Sequence, residues 1–216
     1  MLPIFPDLYQ FSDYIPPIDL SFHQYLLLSD EPVLVHTGNA KQAEHIVPEI
    51  RTLLAGRPLK YVFASHFESD ECGGVGIVAS AFPEATLVCS AMTAREVTGF
   101  GFSIPTLVKE GGDSFRSGNS DFLCIAYPSE AHLQNGLVLF ERTRGMFFSS
   151  DLMFSFGEAH GKVREGDWTS EVEAIDQTWV PNVELLDNLK KDLLGIAPVF
   201  VATGHGSCIR TVAAKP

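Results

Sequence analysis

The sequence predicts an α/β fold built on mixed β-sheets, and two observations carry this. Apolar strand-like runs interleave with helical and loop segments along the chain, the pattern of strands covered by helices. In the second half such runs follow one another without long helices between them, which implies antiparallel pairing there. Mixed sheets, rather than one doubly wound sheet, are therefore expected. With 216 residues, 45% hydrophobic and 19% charged, the chain suffices for one sizeable core, so a single domain over 1–216 is expected.

The elements follow in order. "FHQYLLLS" (22–29) and "PVLVHTG" (32–38) read as a hairpin turning at Asp30 and Glu31. "NAKQAEHIVPEIRTLLAG" (39–56) reads as a helix with a glycine stop, kinked or split at Pro48. "LKYVFASH" (59–66) is a strand, and "GVGIVASAF" (74–82) a helix starting at a glycine pair. "ATLVCS" (85–90) is a strand and "AMTAREVTGF" (91–100) a short helix. "DFLCIAYPS" (121–129), "LVLFE" (137–141) and "GMFFSSDL" (145–152) are three more strands. Residues 155–170, polar and glycine-rich, read as a loop. Residues 171–195 read as helices interrupted at Pro181, and "APVFVATGHG" (197–206) as the final strand.

Composition bounds the function. The formal net charge of -12 argues against nucleic acid and anionic membrane, because both need a basic face. No run reaches the ~18–20 apolar residues of a membrane span, and the first residues lack a basic head and an unbroken apolar run, so a cytoplasmic protein is expected. Cys72, Cys89, Cys124 and Cys208 form no CxxC pair, so neither a zinc finger nor a disulfide framework is indicated.

Several metal-ligand types lie just past the ends of strand-like runs: His66 after "YVFAS", Asp151 after "GMFFSS", His205 after "VFVATG", and His132 in the loop after "FLCIAYPSEA". Strand ends at one sheet edge converge on a crevice, so these segments are expected to meet. In an extended stretch His66, Glu68 and Asp70 point one way, which aims three ligands at one or two adjacent points. Each residue alone has a plainer reading as a cap, turn or satisfied polar group. Their order and context together point to a metal site.

The pattern resembles the metallo-β-lactamase superfamily, through the hairpin, "SHFESDECGG", "EAHLQNGLVLFE", "FFSSDLM" and "ATGHGS". Most members, the zinc hydrolases, carry HxHxDH. HxExD instead resembles the diiron domain of flavodiiron proteins. The resemblance implies an αβ/βα four-layer sandwich of two mixed sheets flanked by helices. It implies His66, Glu68 and His132 on one iron, Asp70 and His205 on the other, and Asp151 between them. Two departures stand out. The residue after Asp70, usually His, is Glu71, so Glu71 or water would complete the second site. His36 stands where the superfamily often has an acidic residue.

Iron suits this donor set. Glu68, Asp70 and Asp151 bring three negative charges, Glu71 a fourth, and two divalent cations neutralise them. Zinc sites favour nitrogen and sulfur, whereas mixed imidazole and carboxylate donors suit iron or manganese. The expected cofactor is thus two iron ions, with zinc or manganese as alternatives and no flavin domain in the chain. The expected function is binding or reduction of O2 or NO with electrons from a separate donor protein, or oxygen sensing. The alternative is a zinc hydrolase acting on an ester, thioester or lactam. A homodimer is compatible with the resemblance. His23, Tyr25, His36 and His160 are candidate proton donors around the pocket, against the plainer reading of core or surface residues.

Overall fold

The computed structural model describes residues 1–212, and these form two seven-stranded sheets packed face to face. The first sheet runs in chain order: β1 (Leu2–Phe5), β2 (Leu8–Ile15), β3 (Leu20–Leu27), β4 (Val33–Val35), β5 (Tyr61–Phe63), β6 (Thr86–Cys89) and β7 (Thr106–Val108). Short connections make β1 to β4 antiparallel. Longer connections make β4 to β7 parallel. They contain α1 (Ala40–Leu54), the single turn α2 (Ser69–Cys72), α3 (Val75–Ala81) and α4 (Ala91–Gly99).

The second sheet comprises β8 (Ser114–Ser117), β9 (Ser120–Tyr127), β10 (Gly136–Glu141), β11 (Met146–Ser150), β12 (Val163–Asp167), β13 (Phe200–Thr203) and β14 (Cys208–Val212), in the spatial order β12-β14-β13-β11-β10-β9-β8. β8 to β11 are antiparallel neighbours, while β11 and β13 are parallel. Between β12 and β13 lie α5 (Trp168–Glu173) and α6 (Val183–Leu194).

Side-chain alternation builds the layers. Leu34 faces α1 in one apolar cluster, while its neighbours Val33 and Val35 face the other sheet in a second. Phe147 packs among α5 and α6 residues in a third cluster, while Met146 and Phe148 join the inter-sheet core. The result is the expected four-layer αβ/βα sandwich.

Four details differ from the sequence expectation. Residues 155–170 contain β12 and the start of α5; "VREGD" is mostly exposed, and β12 pairs only with β14 at the sheet edge. β13 is not the last strand, because β14 follows it. The strands β1, β2, β7 and β8 are additional to the segments read as strands. Finally, α1 runs through Pro48 without splitting. Pro48 removes a hydrogen bond to the Glu44 carbonyl, but both residues are on the exposed face, where water replaces it. An Asn39/Gln42 capping box fixes the helix start, with bonds of 2.8 and 3.0 Å.

Strand direction creates the site. β11 and β13 are parallel, and β9 runs the same way because it is two antiparallel steps from β11. The C-terminal ends of β9, β11 and β13 therefore open at one edge. Two backbone bonds tie that edge to the first sheet: Leu137 N donates to Ser65 O (2.7 Å) and His23 N donates to Gly204 O (3.0 Å).

Candidate metal centre

His66 follows β5, His132 lies in the loop after β9, Asp151 caps β11, and His205 follows β13. The structure brings all four together with Glu68, Asp70 and Glu71. His132 Nε2 lies 3.5 Å from Glu68 Oε1 and 3.2 Å from Asp151 Oδ2. His66 Nε2 lies 3.5 Å from the same Asp151 oxygen. On the other side, His205 Nε2 lies 3.3 Å from Asp151 Oδ1 and 3.5 Å from Asp70 Oδ2. Asp151 thus faces one group of donors with one oxygen and a second group with the other.

Extended alternation does not produce this convergence. Glu68 is the last extended residue, and Ser69–Cys72 is the helical turn α2. That turn keeps Asp70 beside His205 and also rolls Glu71 inward, which an extended chain would have pointed away. Glu71 is 2% exposed, and its Oε2 lies 3.4 Å from His66 Nε2. Its backbone carbonyl is held by Thr37 N at 2.8 Å.

The donor atoms are placed as a ligand set would be. His66 Nε2, Glu71 Oε2 and Asp151 Oδ1 are buried without a hydrogen-bond partner. Leaving such groups unmatched is costly, and a cation among them satisfies all three. Three overlapping sets can each enclose an ion: His66, His132 and Asp151; His66, Glu68 and Glu71; Asp70, Glu71 and His205. The far ring nitrogens of His205 and His66 are oriented from behind, while His132 Nδ1 has no hydrogen-bond partner. His205 Nδ1 meets Ser21 O at 3.0 Å. His66 Nδ1 meets Ser65 Oγ at 3.0 Å, and Ser65 Oγ also contacts His36 Nε2 (2.9 Å) and Ser150 Oγ (2.8 Å). His36 and Ser150 both hold left-handed backbone, φ 64 and 51, which the surrounding bonds must sustain.

The electrostatics describe a cluster poised for positive charge. Burial pushes the Glu71 carboxyl well above its ordinary range, and Asp151 and Asp70 add to this. Glu68 is lowered to about 2 by hydrogen bonds with His132 and His66. Burial disfavours charge on His132, but Asp151 and Glu68 outweigh it and raise its pKa to about 9. Burial likewise opposes ionisation of Asp151, yet His132 and His205 hold it strongly ionised.

Above the cluster lies a cavity of about 380 Å³, walled by Leu20, Phe22, Tyr127, Phe154 and Trp179. Phe22 and Phe154 flank His205, at ring separations of 5.0 and 5.4 Å. The four candidate proton donors do not line it, in keeping with their plainer reading as core or surface residues. His23 and Tyr25 are buried and bonded to the Gly206 and Thr203 carbonyls, His36 is spent on Ser65, and His160 is exposed. Sequence reading missed Tyr127, which looks like an ordinary strand residue, and Ser65 and Ser150. A signal for the two serines is their position: each directly precedes a candidate ligand at a strand end.

Comparison with known proteins gives this geometry its family. A family model described as "ODP family beta lactamase" matches residues 20–206. The chain belongs to the ODP family. The ODP chain is similar to the anaerobic nitric oxide reductase flavorubredoxin of Citrobacter koseri, 23% identical over 202 residues, covering 86% of this chain and 40% of that protein. It is similar in fold to the flavodiiron protein from Giardia intestinalis (TM-score 0.73, 15% identity, covering 96% of this chain and 55% of that one). It is also similar in fold to rubredoxin oxygen:oxidoreductase from Desulfovibrio gigas (TM-score 0.74, 14% identity, covering 97% and 57%). The chain spans about two fifths of the length of such curated relatives. No helix among the described residues is long and apolar enough to cross a membrane.

Proposed function

We propose that this ODP chain holds two iron ions and binds or reduces O2 or NO, with electrons from a separate donor protein, or senses oxygen through the same site. The observation that carries this reading is the split of Asp151, Oδ2 toward His66 and His132 and Oδ1 toward His205. His66, Glu68 and His132 would hold one ion, Asp70 and His205 the other, and Asp151 both. Glu71 faces both groups and would complete the second, where a nitrogen donor is missing. Four carboxylates against three imidazoles favour iron or manganese over zinc and weigh against the hydrolase. The names of the relatives, a nitric oxide reductase and an oxygen oxidoreductase, support the same chemistry.

When bound, the ions would supply an open position for a small ligand and two electrons. The protein's own residues do the rest. Glu68 and Asp151 stay ionised down to low pH and keep the donor set negative. Leu20, Phe22, Phe154 and Trp179 confine the cavity and limit water. Reduction of O2 to water takes four electrons and four protons, so one reduced site cannot finish it and a donor protein must supply the remainder.

The test is a single-turnover experiment. Iron-loaded, chemically reduced protein is mixed with O2 or NO and followed by absorbance. One rapid reaction is expected, with no sustained uptake from NADH alone and sustained uptake when a reductase and carrier are added. Failure to react with either gas overturns the reading. Steady NADH-driven uptake by the pure chain overturns the need for a donor.

A further inference from the structure

Tyr127 is the last residue of β9 and is fully buried, five positions before His132. Its ring sits edge-on to His132 at 5.0 Å and to His66 at 6.5 Å. Gly136, opposite it in the strand pair, makes this packing feasible. A Cβ there would lie 2.7 Å from the Tyr127 carbonyl, 3.3 Å from its ring and 3.5 Å from His132 Nδ1. The ring is therefore held tightly against two of the three residues proposed for the first iron.

The hydroxyl at the end of that ring has no hydrogen-bond partner and is shielded from solvent. Ser129 lies near enough to influence the hydroxyl but forms no bond of full hydrogen-bond geometry with it. Buried tyrosine hydroxyls ordinarily find a partner, and an unmatched one costs about 1–3 kcal/mol. Tyr127 lines the same cavity as Glu68, His132 and Asp151, so a small molecule taken up there is the partner available to it. A tyrosine hydroxyl is protonated at neutral pH, so it is available as an O–H donor and not as a phenolate ligand. What it can satisfy is a small molecule with an acceptor atom.

We infer that the Tyr127 hydroxyl donates a hydrogen bond to the O2 or NO taken up at the half of the centre formed by His66, Glu68 and His132. The inference rests on the diiron reading and deepens it by giving the cavity a side. Among the described residues, the ring contacts of Tyr127 are with His66 and His132 and not with His205. The oxygen end of the bound gas therefore lies over the first half-site. Tyr127 is a ligand-binding residue that stabilises whichever bound form carries more negative charge on that oxygen.

The test uses the reduced, iron-loaded protein exposed to nitric oxide without O2, with the N–O stretch read by infrared spectroscopy. In the unmodified protein the band should move when H2O is exchanged for D2O. In Tyr127→Phe it should lie at higher wavenumber and lose that sensitivity, with nitric oxide affinity lower by roughly three- to tenfold. Iron content should match the unmodified protein. A band of unchanged position and isotope response in Tyr127→Phe overturns the inference, as does a band insensitive to D2O in the unmodified protein. If Tyr127→Phe fails to fold, replacement of all tyrosines by a more acidic fluorotyrosine should lower the band, and an unmoved band overturns the inference. Absence of any N–O band in the unmodified protein overturns the diiron reading, and this inference with it.

Discussion

Glu71 Oε2 lies 3.4 Å from His66 Nε2, at the centre of the cluster rather than at its edge. A carboxylate buried beside Asp151 and Asp70 is a liability unless a cation shares the space. Metal binding and folding therefore make opposing demands on this one residue.

Replacing Glu71 with Gln separates those demands. The folded-state pKa of Glu71 is raised above its ordinary 4.5, so its contribution to stability is present below 4.5 and lost as pH rises toward the raised value. At pH 7 the metal-free Glu71→Gln protein should be more stable, by roughly 1–3 kcal/mol, the cost of a buried unmatched group, while its iron occupancy falls. Urea unfolding of the metal-free proteins and metal analysis of the loaded ones check both halves. Equal stability and equal occupancy would make Glu71 an ordinary polar residue.

His132 sets a pH window. Its pKa is raised from 6.5 to about 9, so its charged form stabilises the metal-free protein below pH 6.5 and that stabilisation is lost as pH rises toward 9. Metal requires the neutral ring, so binding releases this proton and affinity should rise about tenfold per pH unit across the same window. Ferrous ion titrations at several pH values, with proton release recorded in weak buffer, check this. His132→Ala should flatten the pH slope as well as weaken binding.

Ser65 joins His36, Ser150 and His66 through one hydroxyl. Ser65→Ala leaves His66 Nδ1 with only Ser150 Oγ at 3.4 Å and leaves His36 Nε2 unpaired. Metal affinity should fall by about 10–100-fold, the usual effect of losing such an orienting partner. Competition with a chelator of known strength measures it.

The loop bearing His205 depends on Gly206. Its φ of +83 suits glycine, and an added Cβ would collide with Ser155 Oγ and lie 2.6 Å from Ser155 O. Gly206→Ala should cost about 1–3 kcal/mol and weaken the half-site of Asp70 and His205 selectively. Thermal unfolding and the metal-to-protein ratio would show it, with the ratio falling toward one.

Much of this was legible in the sequence because apolar strand runs mark their own ends. His66, Asp151 and His205 each follow such a run; parallel strands carry the last two to one edge, and the Leu137–Ser65 backbone bond brings the end of β5 to it from the other sheet. Glu71 was legible as a candidate but not as a central residue, because alternation assumes an extended chain where α2 begins. β12 hid because an exposed edge strand needs no apolar face. Tyr127 hid because a core strand residue and one that lines a cavity look alike until the neighbours are known.

The most direct measurement is the metal content of protein purified from iron-replete cells, read by elemental analysis with Mössbauer spectroscopy. The account predicts about two irons per chain in two distinct environments, one richer in imidazole, with both disturbed in Asp151→Asn. Stoichiometric zinc without iron, or a single iron unaffected by Asp151→Asn, would contradict it.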